Sequence, residues 1–321
     1  MFLGRIKAVV CGLGMRERNL RLGLHVSISG SIVLAVERAL DRGCNTFQMF
    51  TRNPRGWFYR ELRSEEVSEF RRRVGSEGLD PVFVHMPYLP NLASPKEVVY
   101  RKSVDSLKVE LERCVQLGVP YLVTHLGSHL GRGIEYGFER IVEAIDWAFS
   151  KVEGDVTLLL ENTAGGRNTV GSRLEEIAEI MDRVGDDRCL GVCYDTCHGF
   201  ASGYDMRTPE AVANLIEVFD SLIGLERLKV VHLNDSRGDL GSRLDRHEHI
   251  GLGKIGESGF MSILQSPLGE KPLILETPID SRRSDCENLA KVRELAKRVF
   301  SNLEDDYHVE AHDFSLDAKS E

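Results

Sequence analysis

The sequence predicts an α/β protein with the architecture of a (β/α)8 TIM barrel. Eight short runs rich in apolar and β-branched residues recur along its 321 residues. Their spacing, roughly 25 to 45 residues, leaves room for a loop and a helix each time. Several runs are apolar throughout and end on a polar residue, as strands buried on both faces do. Right-handed crossovers can close eight such units into a barrel with its chemistry at the C-terminal strand ends. An open doubly wound sheet is the alternative on pattern alone.

Taken in order, the first run is Leu22–Ser27, with His25 near its end, and the second is Thr46–Phe50. Pro81–His85 ends on His85. The segment Val98–Leu117 then places Val104, Leu107, Leu111, Cys114 and Val115 at helical spacing. Tyr121–His125 ends on His125 and Thr157–Glu161 on Glu161. Ser172–Val184 reads as a helix with Leu174, Ile177, Ala178 and Met181 on one face. Leu190–Asp195 ends on Asp195, with His198 three residues later. Leu228–Leu233 carries His232, and Pro272–Glu276 ends on Glu276. The barrel is expected over residues 21–303, after an N-terminal extension of residues 1–20 and before a flexible acidic tail of residues 304–321. Val9-Val10-Cys11-Gly12-Leu13-Gly14 hints at a strand and a glycine turn, but a lone G-x-G is a weak sign of a nucleotide site. Met15 is an alternative start.

Composition narrows the class. Hydrophobic residues are 42% and charged residues 28%, the balance of a folded soluble domain and not of a disordered chain. No run of about 18 apolar residues appears, so no membrane span is expected. The first twenty residues lack a sustained apolar segment, which argues against a secretory signal. The seven cysteines are odd in number and scattered, unlike a disulfide framework. Cys189, Cys193 and Cys197 recur every fourth residue where a zinc knuckle wants C-x-x-C, so they read as packing residues near a strand. A reducing, cytoplasmic location follows. The formal charge of -9 argues, taken in bulk, against a nucleic-acid binder.

A lone histidine at a strand end is usually structural, and a lone loop carboxylate is usually solvated or caps a helix. Concentration changes this reading. Of ten histidines, His25, His85, His125, His198, His232, His247 and His249 fall at or just past strand ends, with His129 close by. Converging carboxylates repel one another unless cations balance them. Imidazoles and carboxylates without clustered thiols form an N/O site suited to zinc or manganese. Asp245-Arg-His247 adds two donors from one extended loop. The loop His249-Ile-Gly-Leu-Gly-Lys254-Ile-Gly256 either offers backbone N–H groups to a phosphate or is a turn needing glycine, and the sequence leaves both open. It is not a Walker A loop, because Ile255 follows Lys254.

These residues lie in blocks that resemble the endonuclease IV family of abasic-site DNA endonucleases. The blocks are Gly23-Leu-His-Val-Ser27, Phe50-Thr-Arg-Asn-Pro-Arg-Gly-Trp57, His85-Met-Pro-Tyr-Leu-Pro-Asn-Leu-Ala-Ser-Pro95 and His125-Leu-Gly-Ser-His-Leu130. They continue with Glu161-Asn-Thr-Ala-Gly165, Asp195-Thr-Cys-His198, Gly203-Tyr-Asp-Met-Arg207, His232-Leu-Asn-Asp235, Gly241-Ser-Arg-Leu-Asp-Arg-His247 and Leu275-Glu-Thr277. They run in family order from about residue 22 to 300, and the Asp-Thr-Cys-His and Asp-Arg-His blocks are quite specific. One block departs: Gly166-Arg167 stands where the family usually has Gln-Gly, which puts DNA contacts of that loop in doubt.

The resemblance implies three zinc ions, with manganese an option at some sites. His85 and His125 would hold one ion, with Glu161 bridging to a second held by Asp195, His232 and Glu276. His198, Asp245 and His247 would hold the third. His25, His129 and His249 are not ligands in that pattern, and are expected in the groove, beside the ligands or on the surface. The implied reaction belongs to base excision repair. A hydroxide between two metals attacks the phosphodiester 5′ to an abasic site, leaving a 3′-hydroxyl and a 5′-deoxyribose phosphate, and blocked 3′ ends are trimmed. Glu161 and Glu276 are the implied catalytic carboxylates. Arg55 and Tyr88 match positions that insert into double-stranded DNA at the lesion, where an abasic nucleotide has least stacking to lose. A monomer is implied. Two rivals are a dinuclear sugar isomerase or epimerase, for which Glu161, Asp195, His232 and Glu276 would suffice, and a non-catalytic binder of damaged DNA. The charge then reads differently: the tail carries -6, residues 1–303 hold 43 acidic against 40 basic residues, and three Zn²⁺ would bring them to a formal +3.

Overall fold

A computed structural model describes residues 20–185 and 190–316, with residues 302–316 as backbone only. The expected extension therefore falls, except for Leu20, outside the described residues, as do Cys189 and residues 317–321. Eight parallel strands form the sheet: β1 (Leu22–Val26), β2 (Phe47–Met49), β3 (Val82–His85), β4 (Tyr121–His125), β5 (Thr157–Glu161), β6 (Leu190–Asp195), β7 (Leu228–His232) and β10 (Leu273–Leu275). They close into a barrel in the order β1-β10-β7-β6-β5-β4-β3-β2. A two-stranded antiparallel ribbon, β8 (Asp235–Ser236) with β9 (His247–Glu248), follows β7. The open-sheet alternative is excluded.

Helices α1 (Val33–Asp41), α2 (Ser64–Glu77), α3 (Glu97–Leu117), α4 (Ile134–Phe149) and α5 (Leu174–Val184) follow the first five strands in turn. The short α6 (Thr196–Ser202) leaves β6 directly and precedes α7 (Pro209–Leu222), while α8 (Gly256–Gln265) precedes β10 and α9 (Asp285–Leu316) ends the described chain. The α9 backbone runs across residue 303. Helix α3 stops where its sequence stops being helical. Gly118 takes φ +67, and Val119 N–H reaches back to Cys114 O at 2.9 Å, satisfying an end carbonyl. On α5 the buried face is Leu174, Ile177, Ala178, Ile180 and Met181, the predicted stripe with one addition.

What positions the site is the period of two along each strand. Phe83, Val123, Leu159, Cys193, Val230 and Ile274 form an apolar cluster of their own, apart from the larger core between sheet and helices. Each stands two residues before a candidate site residue: His85, His125, Glu161, Asp195, His232 and Glu276. The plug and the polar ring therefore share one face of the sheet, the barrel interior. Register brings His125 beside Glu161 and Asp195 beside His232, the latter after a register shift between Val192 and Cys193. Cys193 is a packing residue, as expected, and burial pushes its thiol up to about 12.

Candidate metal centre

Glu161 lies at the centre. Its Oε2 is 3.1 Å from His85 Nε2 and 3.4 Å from His125 Nδ1, and its Oε1 is 3.1 Å from His232 Nδ1. His232 Nδ1 also faces Glu276 Oε2 at 3.5 Å and Asp195 Oδ2 at 3.9 Å. Asp195 caps α6, its Oδ1 accepting from His198 N–H at 2.8 Å, and this turn brings His198 back over the strand end. His198 Nε2 meets Asp245 Oδ1 at 3.2 Å, and His247 Nε2 lies 3.6 Å from Asp195 Oδ2 and 4.0 Å from Asp245 Oδ1. Among the described residues, five groups have their donor atoms within 4.8 Å of one another: His85, His125 and Glu161; Glu161, Asp195, His232 and Glu276; His198, Asp245 and His247; and two that bring in a buried thiol, Glu161 with Cys193 and His232, and Asp195 with Cys197 and His247.

The hydrogen bonds test whether cations fit here. A carbonyl oxygen can only accept, so a ring nitrogen bonded to one must carry the proton. His85 Nδ1 donates to Met86 O at 2.6 Å, His198 Nδ1 to Asn162 O at 3.0 Å, and His247 Nδ1 to Glu276 O at 2.9 Å. His232 Nε2 donates to Gln48 Oε1 at 2.9 Å. Each ring thus turns its other nitrogen, in the neutral form a lone pair, toward carboxylate oxygens. Lone pair against carboxylate is repulsive unless a proton or a metal ion stands between them. His247 Nε2 is buried with no hydrogen-bond partner among the described residues. On His85, His198 and His232, neighbouring groups outweigh burial and favour the protonated ring. Burial alone would lower the His198 pKa, but Asp195, Asp245 and Glu161 outweigh it and raise it to about 10. Burial would likewise raise Glu161, but His125 and His232 hold it well below the usual carboxylate range. The donor set, the fixed tautomers and the unpaired nitrogen all fit metal ions.

Three orienting residues were not read from the sequence. Gln48 bridges His232 and Glu276, donating to Glu276 Oε1 at 2.8 Å. Asn234 Nδ2 donates to Asp195 Oδ2 at 2.7 Å, while its Oδ1 accepts from Glu276 N–H at 2.8 Å. Asn162 exchanges two hydrogen bonds with the Asp195 backbone. Both asparagines sit inside the quoted blocks. Gln48 shows only as a polar interruption between Phe47 and Met49.

The remaining expected residues separate. His25 Nδ1 donates to Glu276 Oε1 at 2.9 Å, beside the cluster. Tyr88 is exposed on the rim, its ring 5.1 Å from Phe50 and its N–H on Pro54 O at 3.0 Å. Arg55 is exposed on the neighbouring loop. His129 Nδ1 accepts from Gly133 N–H at the start of α4. His249 is fully buried, not on the surface, between Asp280 and Asn288. The glycine loop resolves its two readings. Gly251 and Gly253 N–H each donate to Asp235 Oδ2 at 2.9 Å, and Ile255 N–H to Asp235 Oδ1 at 3.0 Å. The loop is an anion nest filled by the chain's own carboxylate.

Comparison with known proteins agrees with this architecture. The profile of the family described as "Xylose isomerase-like TIM barrel" matches residues 36–301, which makes the chain a barrel of that class. A "Probable endonuclease 4" of Methanoculleus marisnigri is 57% identical over 277 residues, covering 86% of this chain and 98% of that protein. One of Nitrosopumilus maritimus is 49% identical over 280 residues, covering 86% and 100%. The solved endonuclease IV of Thermus thermophilus superposes with a TM-score of 0.77 at 40% identity, over 87% of this chain and 99% of that one. The chain belongs to the endonuclease IV family. A D-tagatose 3-epimerase-like protein, with a TM-score of 0.64 and 17% identity, shares the fold.

Proposed function

We propose that this protein is a zinc-dependent endonuclease of base excision repair, acting on double-stranded DNA. It hydrolyses the phosphodiester 5′ to an abasic site, leaving a 3′-hydroxyl and a 5′-deoxyribose phosphate, and trims blocked 3′ ends. The observation that carries this reading is the set of four histidines whose N–H groups are tied to protein oxygens while their other nitrogens converge on carboxylates. His85, His125 and Glu161 would hold one ion, Glu161, Asp195, His232 and Glu276 a second, and His198, Asp245 and His247 a third. When bound, such ions supply Lewis acidity at phosphoryl oxygens and activate water near neutral pH. Manganese is compatible with the same N/O donors.

The chain's own groups do the rest. Glu161, shared by two of the donor groups, would contribute to two of the ions. Glu276, held by His25 and Gln48, orients the attacking water, and its carboxylate stays ionised because His232 and His25 offset its burial. Arg55 and Tyr88 stand on the rim and enter the DNA at the lesion. The histidine and aspartate group beyond the dinuclear quartet favours the nuclease over a sugar isomerase. A monomer in the cytoplasm completes the reading.

The test offers metal-replete protein a duplex with one tetrahydrofuran abasic analogue, on which lyase elimination cannot occur. Incision 5′ to the analogue is expected, and an intact duplex overturns the reading. Glu161→Gln is expected to lower the rate by at least about a hundredfold while DNA binding largely survives. Unchanged turnover would remove Glu161 from its bridging role.

A further inference from the structure

Two loops at the strand-end rim hold arginines in an arrangement that the metal groups leave unexplained. Arg243 lies two residues before Asp245, and its backbone is left-handed, φ +57, a conformation that L side chains rarely adopt. It is held there by its N–H on Ala201 O at 2.8 Å, near the end of α6. Its aliphatic stem crosses Gly165: a Cβ on that glycine would stand 3.5 Å from Arg243 Cγ. Gly165 itself takes φ +84, four residues after Glu161.

Arg167 follows two residues later, in the loop that departs from the family. Its neighbour Asn168 is also left-handed, φ +63, and Asn168 O accepts from His129 N–H at 3.0 Å, which fastens the turn. Thr169 N–H closes it on Gly166 O at 3.1 Å. Both arginines are exposed. Among the described residues, neither has a carboxylate partner. Several arginines on the outer helices do, as Arg72 with Glu69, Arg101 with Glu97 and Arg183 with Glu135 show. Two guanidiniums on loops packed together, without a counter-ion and beside the candidate metal groups, call for an anion from outside.

We propose that Arg167 and Arg243 together clamp one backbone phosphate of the bound DNA, on the side of the site formed by His198, Asp245 and His247. Guanidinium forks suit phosphate oxygens, and such contacts fix register without reading sequence. The clamp rests on the reading of this face as the DNA site. It gives the Gly166-Arg167 departure a function: Arg167 supplies a second fork.

The test measures Kd for the tetrahydrofuran duplex as a function of salt for the wild type, Arg167→Ala, Arg243→Gly and the double variant. Glycine suits the left-handed φ, so Arg243→Gly removes the charge and relieves strain. Arg101→Ala, on the outer helix α3, is the control and should bind as the wild type does. Each single variant is expected to weaken binding roughly fivefold, and the double variant to lower the slope of log Kd against log salt by about 0.9, the value for one phosphate. A double variant with wild-type Kd and slope overturns the clamp. A fall of about 1.8 shows two separate phosphates and overturns the shared one. Wild-type protein that binds no abasic duplex overturns the clamp and the DNA reading together, whereas wild-type protein that binds and cuts isolates any failure to the clamp.

Discussion

Gln48 Oε1 accepts from His232 Nε2 at 2.9 Å, and its Nε2 donates to Glu276 Oε1 at 2.8 Å. One buried amide therefore fixes a tautomer and a carboxylate at once. Gln48→Leu keeps the volume but leaves the His232 N–H without an acceptor and Glu276 with one donor fewer. Residues that orient a ligand in this way typically matter about 10- to 100-fold in metal affinity. Zinc retention against a chromophoric chelator should fall by that factor while circular dichroism stays unchanged. Retention equal to that of the wild type would show that the amide does not set the tautomer. The histidines and carboxylates of the site were legible because each closes or follows an apolar run. Gln48 was not, because its role follows from register: His25 pairs with Gln48 and Gln48 with Phe83. A single strand read alone shows only an interrupted apolar run.

At the scale of elements, the strands were legible to within a residue or two. Leu22–Ser27 became Leu22–Val26, and Thr46–Phe50 became Phe47–Met49, because ladder pairing stops where each loop turns away. The β8–β9 ribbon and the nest around Asp235 were not legible. The nest's acceptor stands sixteen residues before its first glycine donor, a separation that no local spacing rule reports. Asp235→Ala would leave at least three buried or part-buried backbone N–H groups without an acceptor, at a cost of roughly 3–5 kcal/mol. Urea titration should show that loss, and a change under about 1 kcal/mol would mean the loop finds other acceptors. A second element-level device joins the Arg55 loop to α2. Glu66, buried at the first turn of α2, receives Arg60 and Arg63, which hold its carboxyl down to about 2. A depressed carboxylate contributes stability above its unfolded value, and that stability is lost as pH falls toward 2. Glu66→Gln should therefore cost about 1–2 kcal/mol near pH 7, after allowance for screening at exposed guanidiniums. The cost should shrink between pH 4.5 and 2 in acid-denaturation curves. A penalty independent of pH would assign it to packing.

Across the whole molecule, the formal charge of -9 was the least informative number in the sequence. It averages an acidic C-terminal stretch with a barrel mouth where carboxylates and histidines are interleaved, and so argued against the partner that the local arrangement favours. What bulk charge hides, the stability of the metal-free protein should reveal. Glu161, Asp195 and Glu276 converge at one point, two of them fully buried. In the proposed holoprotein, metal ions balance them, so binding free energy becomes folding free energy. An ion present at a thousand times its Kd stabilises by about 4 kcal/mol, and three ions add to one another. Stripping the metals with a chelator should lower the melting temperature by on the order of 10 °C or more. Titrating zinc back should restore it in proportion to the metal bound, with manganese restoring it in part. The barrel should persist in the stripped protein, because the apolar cluster beneath the ring and the larger core outside the sheet contain none of the proposed ligands. A melting temperature unmoved by complete metal removal would mean that the buried carboxylates are balanced by protons alone, and would overturn the assignment of these three groups as metal sites.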